Sequence, residues 1–254
     1  MKKLFLIVAA MFAAVSFSAC SDDDDNGGKA PTPEKWVKQI VFRAEWDESW
    51  TTTITYDSEN RVKKVDGLRN DSYEFTYNGN SLTVKGSDRT YTCKLNSDGY
   101  VTEVTENDFD KDETYYYRME YKNGYLQRVE QRYSYNESRI RVSECTWRDG
   151  NLVEYTAKDY NEDDTEIETA KISYSKTATP INIDLLYFSG YVPVDVYPLD
   201  LLGFCGRQSA KLPDKVDVVW GSESDSDDLG VYTLNNDGTV ARIDCGSVSY
   251  ELIY

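Results

Sequence analysis

Residues Cys93-Lys-Leu-Asn-Ser-Asp-Gly-Tyr-Val-Thr-Glu-Val104 decide the fold, because the string returns with variations along the chain. Tyr232-Thr-Leu-Asn-Asn-Asp-Gly-Thr-Val-Ala-Arg-Ile243 matches it closely. Ile54–Val65, Met119–Val129 and Cys145–Tyr155 carry the same pattern, and Phe75–Leu82 is a looser copy. Each has an Asn-Gly or Asp-Gly corner (Asn78-Gly79, Asp98-Gly99, Asn123-Gly124, Asp149-Gly150, Asp237-Gly238), except the first, where Asn60 takes the Gly place. These residues tolerate the positive φ that tight hairpin turns require.

Ahead of each corner stand apolar pairs two residues apart, such as Ile54/Tyr56, Phe75/Tyr77, Met119/Tyr121 and Cys145/Trp147. In a strand that spacing puts both on one face. After the corner the apolar step is three residues: Val62/Val65, Val101/Val104, Leu126/Val129, Leu152/Tyr155 and Val240/Ile243. A step of three in a strand predicts a bulge or strong twist in the returning strand. The chain is therefore predicted to be all-β: an antiparallel hairpin meander of roughly twelve or more strands, one hairpin per unit. So large a twisted sheet is expected to curl into a closed or nearly closed barrel. Positions between the apolar ones (Lys64, Glu74, Glu120, Arg128, Glu154) are charged, which suits a water-facing exterior rather than lipid. The tail Ser247–Tyr254 alternates like a closing strand.

The rhythm breaks near 177–215, where Pro180, Pro193, Pro198 and Pro213 fall. Ile181–Phe188 is expected to be a buried strand or short helix, and Leu199–Phe204 a helical turn ended by Gly203 or Gly206. Such an insertion is expected to plug or cap one barrel end.

The chain begins as an address. Lys2 and Lys3 precede the apolar run Leu4–Val15, which is too short for a lasting span and reads as a signal peptide over 1–19. Phe17-Ser18-Ala19-Cys20 resembles a bacterial lipobox, with Phe17 where Leu is usual, so Cys20 is the expected lipidation site. Residues 20–34 read as a flexible linker. Its run Ser21-Asp22-Asp23-Asp24-Asp25 resembles the export signal of Bacteroidetes surface lipoproteins. The resemblance implies an outer-membrane lipoprotein facing the cell exterior; a periplasm-facing lipoprotein with an acidic spacer is the alternative. Residues 35–254 are read as a single hairpin-repeat domain. No later stretch is apolar enough for a spanning helix, so the N-terminal lipid is the expected membrane contact.

Composition narrows function. There is no His, which excludes Ser-His-Asp and Cys-His catalysis and His-ligated metals from this chain. The net charge of −17 argues against nucleic acid. Aromatic residues make up 13%, with 21 Tyr, more than a disordered chain carries.

Two features resemble one family. Thr55-Tyr56-Asp57 through Arg61-Val62-Lys63-Lys64-Val65 looks like the YD repeat of bacterial surface and toxin-shell proteins. Leu202-Gly203-Phe204-Cys205-Gly206, followed by Leu212-Pro213 and a last hairpin, resembles a Bacteroidetes lipoprotein family of unknown function described as porin-like. That resemblance implies a curled meander from about Ile40 to Tyr254 and brings no catalytic residues.

Among candidate sites, Cys93 and Cys145 occupy core places in the repeat and are expected as unpaired thiols. Cys205 with Cys245 is the pair to test for a disulfide. Asp108-Phe-Asp110-Lys-Asp112 opens like a calcium loop but has Glu113 and Met119 where Gly and Glu are needed, so a charged hairpin tip is expected. Ser222–Asp228 reads as a solvated acidic loop. No metal or cofactor is expected. Trp46, Trp50 and Tyr115-Tyr116-Tyr117 are the ligand-binding aromatic candidates, because flat rings stack on sugars or bury at interfaces; cross-strand packing is the plainer reading of each. The functional expectation is a non-catalytic binding module for a glycan, peptide or partner protein. A structural or adhesion component is the alternative, and a hydrolase using two carboxylates the distant one.

Overall fold

A computed structural model describes residues 36–46, 49–68, 71–161, 165–178 and 181–254. The signal peptide, Cys20 and the acidic run Ser21–Asp25 lie outside the described residues. The strands are β1 (Gln39–Ala44), β2 (Trp50–Tyr56), β3 (Val62–Leu68), β4 (Asp71–Asn78), β5 (Ser81–Lys85), β6 (Arg89–Leu95), β7 (Val101–Asp108), β8 (Glu113–Lys122) and β9 (Tyr125–Tyr133). They continue as β10 (Asn136–Arg148), β11 (Asn151–Tyr160), β12 (Thr165–Ala178), β13 (Lys211–Trp220), β14 (Glu223–Asp228), β15 (Val231–Leu234), β16 (Val240–Cys245) and β17 (Val248–Ile253). All 17 belong to one antiparallel sheet.

The repeat explains the hairpins in detail. In five of them one extra residue sits in the returning strand. Tyr56 pairs with Val62 but Thr55 with Lys64, so Lys63 is extra. Thr102, Gln127, Val153 and Ala241 hold the same place in their units. The extra residue turns a period of two into the step of three seen in sequence. The Phe75 unit has no such shift, and there Leu82 and Val84 are two apart. At the corners Asn123-Gly124 and Asp149-Gly150 have positive φ at both residues, as two-residue hairpin turns require. Asp57, Asn96 and Asn235 each accept the N–H of the residue three further on, and their own N–H groups close the loop.

Strands follow one another around the ring, and β1 pairs with both β2 and β17, joining the two ends of the meander. Among the described residues no ladder joins β14 to β15, so the sheet is not closed. Counting alternations from β1 shows why. Strands β14 and β15 run in the same direction, because β15 is antiparallel to β16 and β14 to β13. A parallel pair needs a long crossover, and only Leu229 and Gly230 lie between them. The chain instead leaves one edge of the sheet and takes up the other. Ser222–Asp228, expected as a loop, is therefore mostly strand, with every side chain of β14 exposed.

The insertion plugs the interior. It leaves β12 and rejoins at β13, where Ala178 pairs with Lys211. A 3-10 helix at Leu185–Ser189 meets the expectation of a short helix there. Leu199–Phe204 forms successive turns rather than a helix, with Phe204 N–H bonded back to the Leu199 carbonyl. Ile183, Val196, Leu199 and Leu201 are wholly buried against the wall. At the tight-turn end the wall holds the plug by backbone bonds: Val101 N–H to the Phe204 carbonyl, and Arg207 and Ala210 N–H to the carbonyls of Gly124 and Gly150. Asn182 adds two more, accepting from Val37 N–H at 2.8 Å and donating to the Tyr56 hydroxyl at 2.8 Å. On the outside, cross-strand ion pairs such as Lys94–Glu103 at 2.6 Å and Arg43–Glu251 at 3.2 Å cover the sheet. Charges at such places would face lipid only at a cost. Among the described residues no helix is long and apolar enough to cross a membrane.

Candidate functional site

The plug fills the tight-turn end and stops short of the other, leaving a cavity of about 490 Å³ between it and the wall from β6 to β12. Its wall residues sit on the strand halves remote from the tight turns: Glu106 near the end of β7, Tyr115 and Tyr117 at the start of β8, Tyr133 at the end of β9, Arg141 and Ser143 on β10. Alternation dictates which reach inside. Of the three consecutive tyrosines, Tyr115 and Tyr117 line the cavity while Tyr116 points outward, 47% exposed. Tyr91, Tyr155, Tyr187 and Tyr197 also line it.

The charges on the strand wall of the cavity are paired. Arg89 Nη1 lies 3.1 Å from Glu106 and its Nη2 3.9 Å from Asp108. Lys111 Nζ lies 3.7 Å from Asp108, and Arg141 Nη2 2.9 Å from Glu168. Tyrosines complete the carboxylates: Tyr117 donates to Glu106 Oε2 at 3.0 Å, and Tyr155 to Glu168 Oε1 at 2.7 Å. Burial pushes the Glu106 carboxyl above the usual range, although Tyr117 and Arg89 pull it back. Burial likewise raises the phenols of Tyr91, Tyr115, Tyr117, Tyr133 and Tyr155. All five stay protonated at neutral pH, and Tyr115, Tyr117 and Tyr155 donate to carboxylates. The buried Tyr91 hydroxyl makes no hydrogen bond of ordinary geometry, though Arg89 and Glu106 both act on it electrostatically.

Asp108 stands at the head of the hairpin tip that runs to Asp112. Its carboxylate is 3% exposed, turned into the cavity and held by Lys111, whose N–H and ammonium both face it. Among the described residues no cluster of three or more metal-ligating side chains occurs.

A second cavity, of about 340 Å³, lies on the other side of Tyr187 and Gly190, which line both. It is aromatic, with Phe42, Trp50, Phe188 and Tyr250 in its wall. Trp50 stacks on Phe42, ring centroids 3.5 Å apart. Trp46 is 70% exposed and lines neither cavity. The structure thus separates the aromatic candidates: Tyr115 and Tyr117 share one site, Trp50 lies in the next, and Trp46 and Tyr116 stand apart.

All four described thiols are free. The expected disulfide of Cys205 with Cys245 is not formed. Cys205 is packed in the plug, close enough to Cys93 and Asp200 for both to act on its thiol. The Cys245 Sγ faces the Leu229 carbonyl at 3.8 Å, at the gap in the sheet. Different elements hold the two.

Sequence reasoning missed the charged members Arg89, Glu106, Arg141 and Glu168. With 45 acidic residues nothing in the sequence singles out those that face inward. Register alone does so.

No family model matches the chain. No curated protein matches it either. Its fold is similar to that of a porin-like protein from Bacteroides uniformis, with a TM-score of 0.66 and 15% identity over 89% of this chain and 99% of that one. A porin-like protein from Bacteroides vulgatus gives 0.68 and 15% over 87% and 99%. The likeness concerns the fold, and it agrees with the curled meander implied by the sequence resemblance.

Proposed function

We propose that this protein is a surface lipoprotein, anchored through Cys20, whose barrel binds a ligand without transforming it. The observation that carries the reading is the tyrosine-lined cavity at the open end. A concave site with a few converging polar groups is the usual form of a small-ligand pocket. Its wall carboxylates Glu106, Asp108 and Glu168 are held by cationic and phenolic partners, an arrangement that orients a ligand. Trp36 packs on Tyr56, the last residue of β2, at the tight-turn end, with ring centroids 5.4 Å apart. Three measurements test the proposal. Lipid labelling is lost in Cys20→Ser; protease removes the protein from intact cells; and the soluble body from residue 35 onward, screened against glycans and peptides, yields a ligand whose binding Tyr117→Phe weakens.

A second reading, a structural or adhesion component, is favoured by the unpaired edges of β14 and β15, since free edges accept further strands. In-cell crosslinking that recovers a fixed envelope complex through residues 223–234 would support it.

A further inference from the structure

Resting on the reading of this cavity as the ligand site, we propose that its ligand is a neutral, hydroxyl-rich molecule of mono- or disaccharide size, held by vicinal hydroxyls on Asp195 and by tyrosine faces. Three observations lead there.

The first is charge. Arg89, Lys111 and Arg141 each already face a carboxylate of the same wall. On the strand wall a cationic ligand would have to take Glu106, Asp108 or Glu168 from its partner, and an anionic one would have to take an arginine and lie in a cavity that also holds the Asp195 carboxylate. Either leaves a buried charge unpaired, which is strongly unfavourable. A neutral ligand breaks no pair.

The second is spare hydrogen-bonding capacity. A carboxylate has about four acceptor directions and a guanidinium five N–H donors. Glu168 accepts one bond at each oxygen, from Tyr155 and Arg141. Among the described residues Arg141 donates one hydrogen bond, to Glu168 at 2.9 Å. The Gln131 amide donates to the Tyr117 hydroxyl at 3.3 Å, which leaves its carbonyl free to accept. The wall therefore presents donors and acceptors side by side. Hydroxyls, which both give and accept, use such a surface; an apolar molecule does not. Aromatic rings flank these groups, and sugar C–H faces pack on rings.

The third is Asp195. It projects from the plug, exposed, into the cavity lining, and among the described residues no ion pair engages it. It lies near enough for its charge to act on the Tyr117 phenol. A carboxylate with both oxygens open accepts two adjacent hydroxyls at once.

The test uses the body from residue 35 onward and isothermal titration against glucose, galactose, mannose and their disaccharides. Each monosaccharide is paired with its own charged counterparts, the uronate as the anion and the 2-amino-2-deoxy sugar as the cation. At least one neutral sugar is expected to bind, with the charged counterparts at least tenfold weaker. Asp195→Ala is expected to weaken neutral binding at least tenfold while leaving circular dichroism and Tm unchanged, since the side chain is exposed. Tyr155→Phe, which frees one Glu168 oxygen, is expected to shift affinity without abolishing it. If a charged counterpart binds more tightly than its neutral parent and Tyr117→Phe weakens it, the cavity reading stands and the neutral-ligand proposal falls. Neutral binding untouched by both Asp195→Ala and Tyr117→Phe places the ligand elsewhere and overturns both. No binding by any sugar overturns the proposal, and a peptide hit sensitive to Tyr117→Phe then leaves the cavity reading intact.

Discussion

The hydroxyl of Tyr77 donates to the carbonyl oxygen of Val62 at 2.9 Å. Val62 is the residue just before the extra one in the returning strand of the preceding hairpin. The arrangement recurs: Tyr121 bonds to the Val101 carbonyl, Trp147 Nε1 to that of Leu126, Tyr174 to that of Leu152 and Tyr254 to that of Val240. An aromatic side chain from one hairpin thus satisfies a carbonyl at the irregularity of its neighbour. Removing such a partner leaves a half-buried acceptor unpaired. Tyr77→Phe is expected to lower the unfolding free energy by about 1–3 kcal/mol in urea titrations. Tyr116→Phe, on the outer face, is expected to change it by less than about 0.5 kcal/mol.

Glycines of the same sheet are expected to differ in cost. Gly99 has a φ of +84° with open space around a notional Cβ, so Gly99→Ala loses only the left-handed preference, about 1–2 kcal/mol. Gly230, where the chain changes edges, has a φ of +106°, and a Cβ would stand 2.7 Å from the Asp244 carbonyl oxygen. Backbone cannot yield as a side-chain tip can. Gly230→Ala is expected to cost at least twice as much, read by the same titration.

Asp184 caps the 3-10 helix, accepting from Leu186 N–H at 2.9 Å. Burial pushes its carboxyl up to about 6, against the ordinary 3.8. The folded state therefore holds this proton more tightly than the unfolded chain. Its favourable contribution is complete below the unfolded value and is lost as pH rises through about 6. Asp184→Asn keeps the accepting oxygen and has no charge to bury. The variant is expected to gain on the natural chain as pH rises from about 4 to 6, levelling at about 1–3 kcal/mol. Denaturation midpoints across that range check the sign.

Burial also pushes the thiols of Cys93 and Cys145 up to about 12. Protonated and enclosed, they are expected to resist Ellman's reagent at pH 8 in the folded body and to react fully in guanidinium. Intact mass under non-reducing conditions is expected to show no two-hydrogen deficit, in keeping with separate Cys205 and Cys245 thiols.

The hairpins were legible because turn chemistry and strand period are local. Asn123-Gly124 announces a corner whatever surrounds it, and the step from Leu126 to Val129 announces the extra residue at Gln127. The site was half legible. Three consecutive tyrosines had to divide between faces, but which of them looked inward depended on register. The role of Tyr56, Tyr77 and Tyr121 was read as packing alone, because their acceptors lie on other elements of the chain. Arg89 and Glu106 meet across adjacent strands, 17 residues apart in sequence. No local pattern marks such a pair. The strand at Glu223–Asp228 was hidden for a related reason: all its side chains face solvent, so it has no apolar period to read.

The first strand has a mechanical consequence. Because β1 is flanked by β2 on one side and β17 on the other, a pull arriving from the residues before Gln39 does not peel a free margin. It loads two ladders in shear, and both must slip together. A load entering there is thereby borne by a strand braced on both sides.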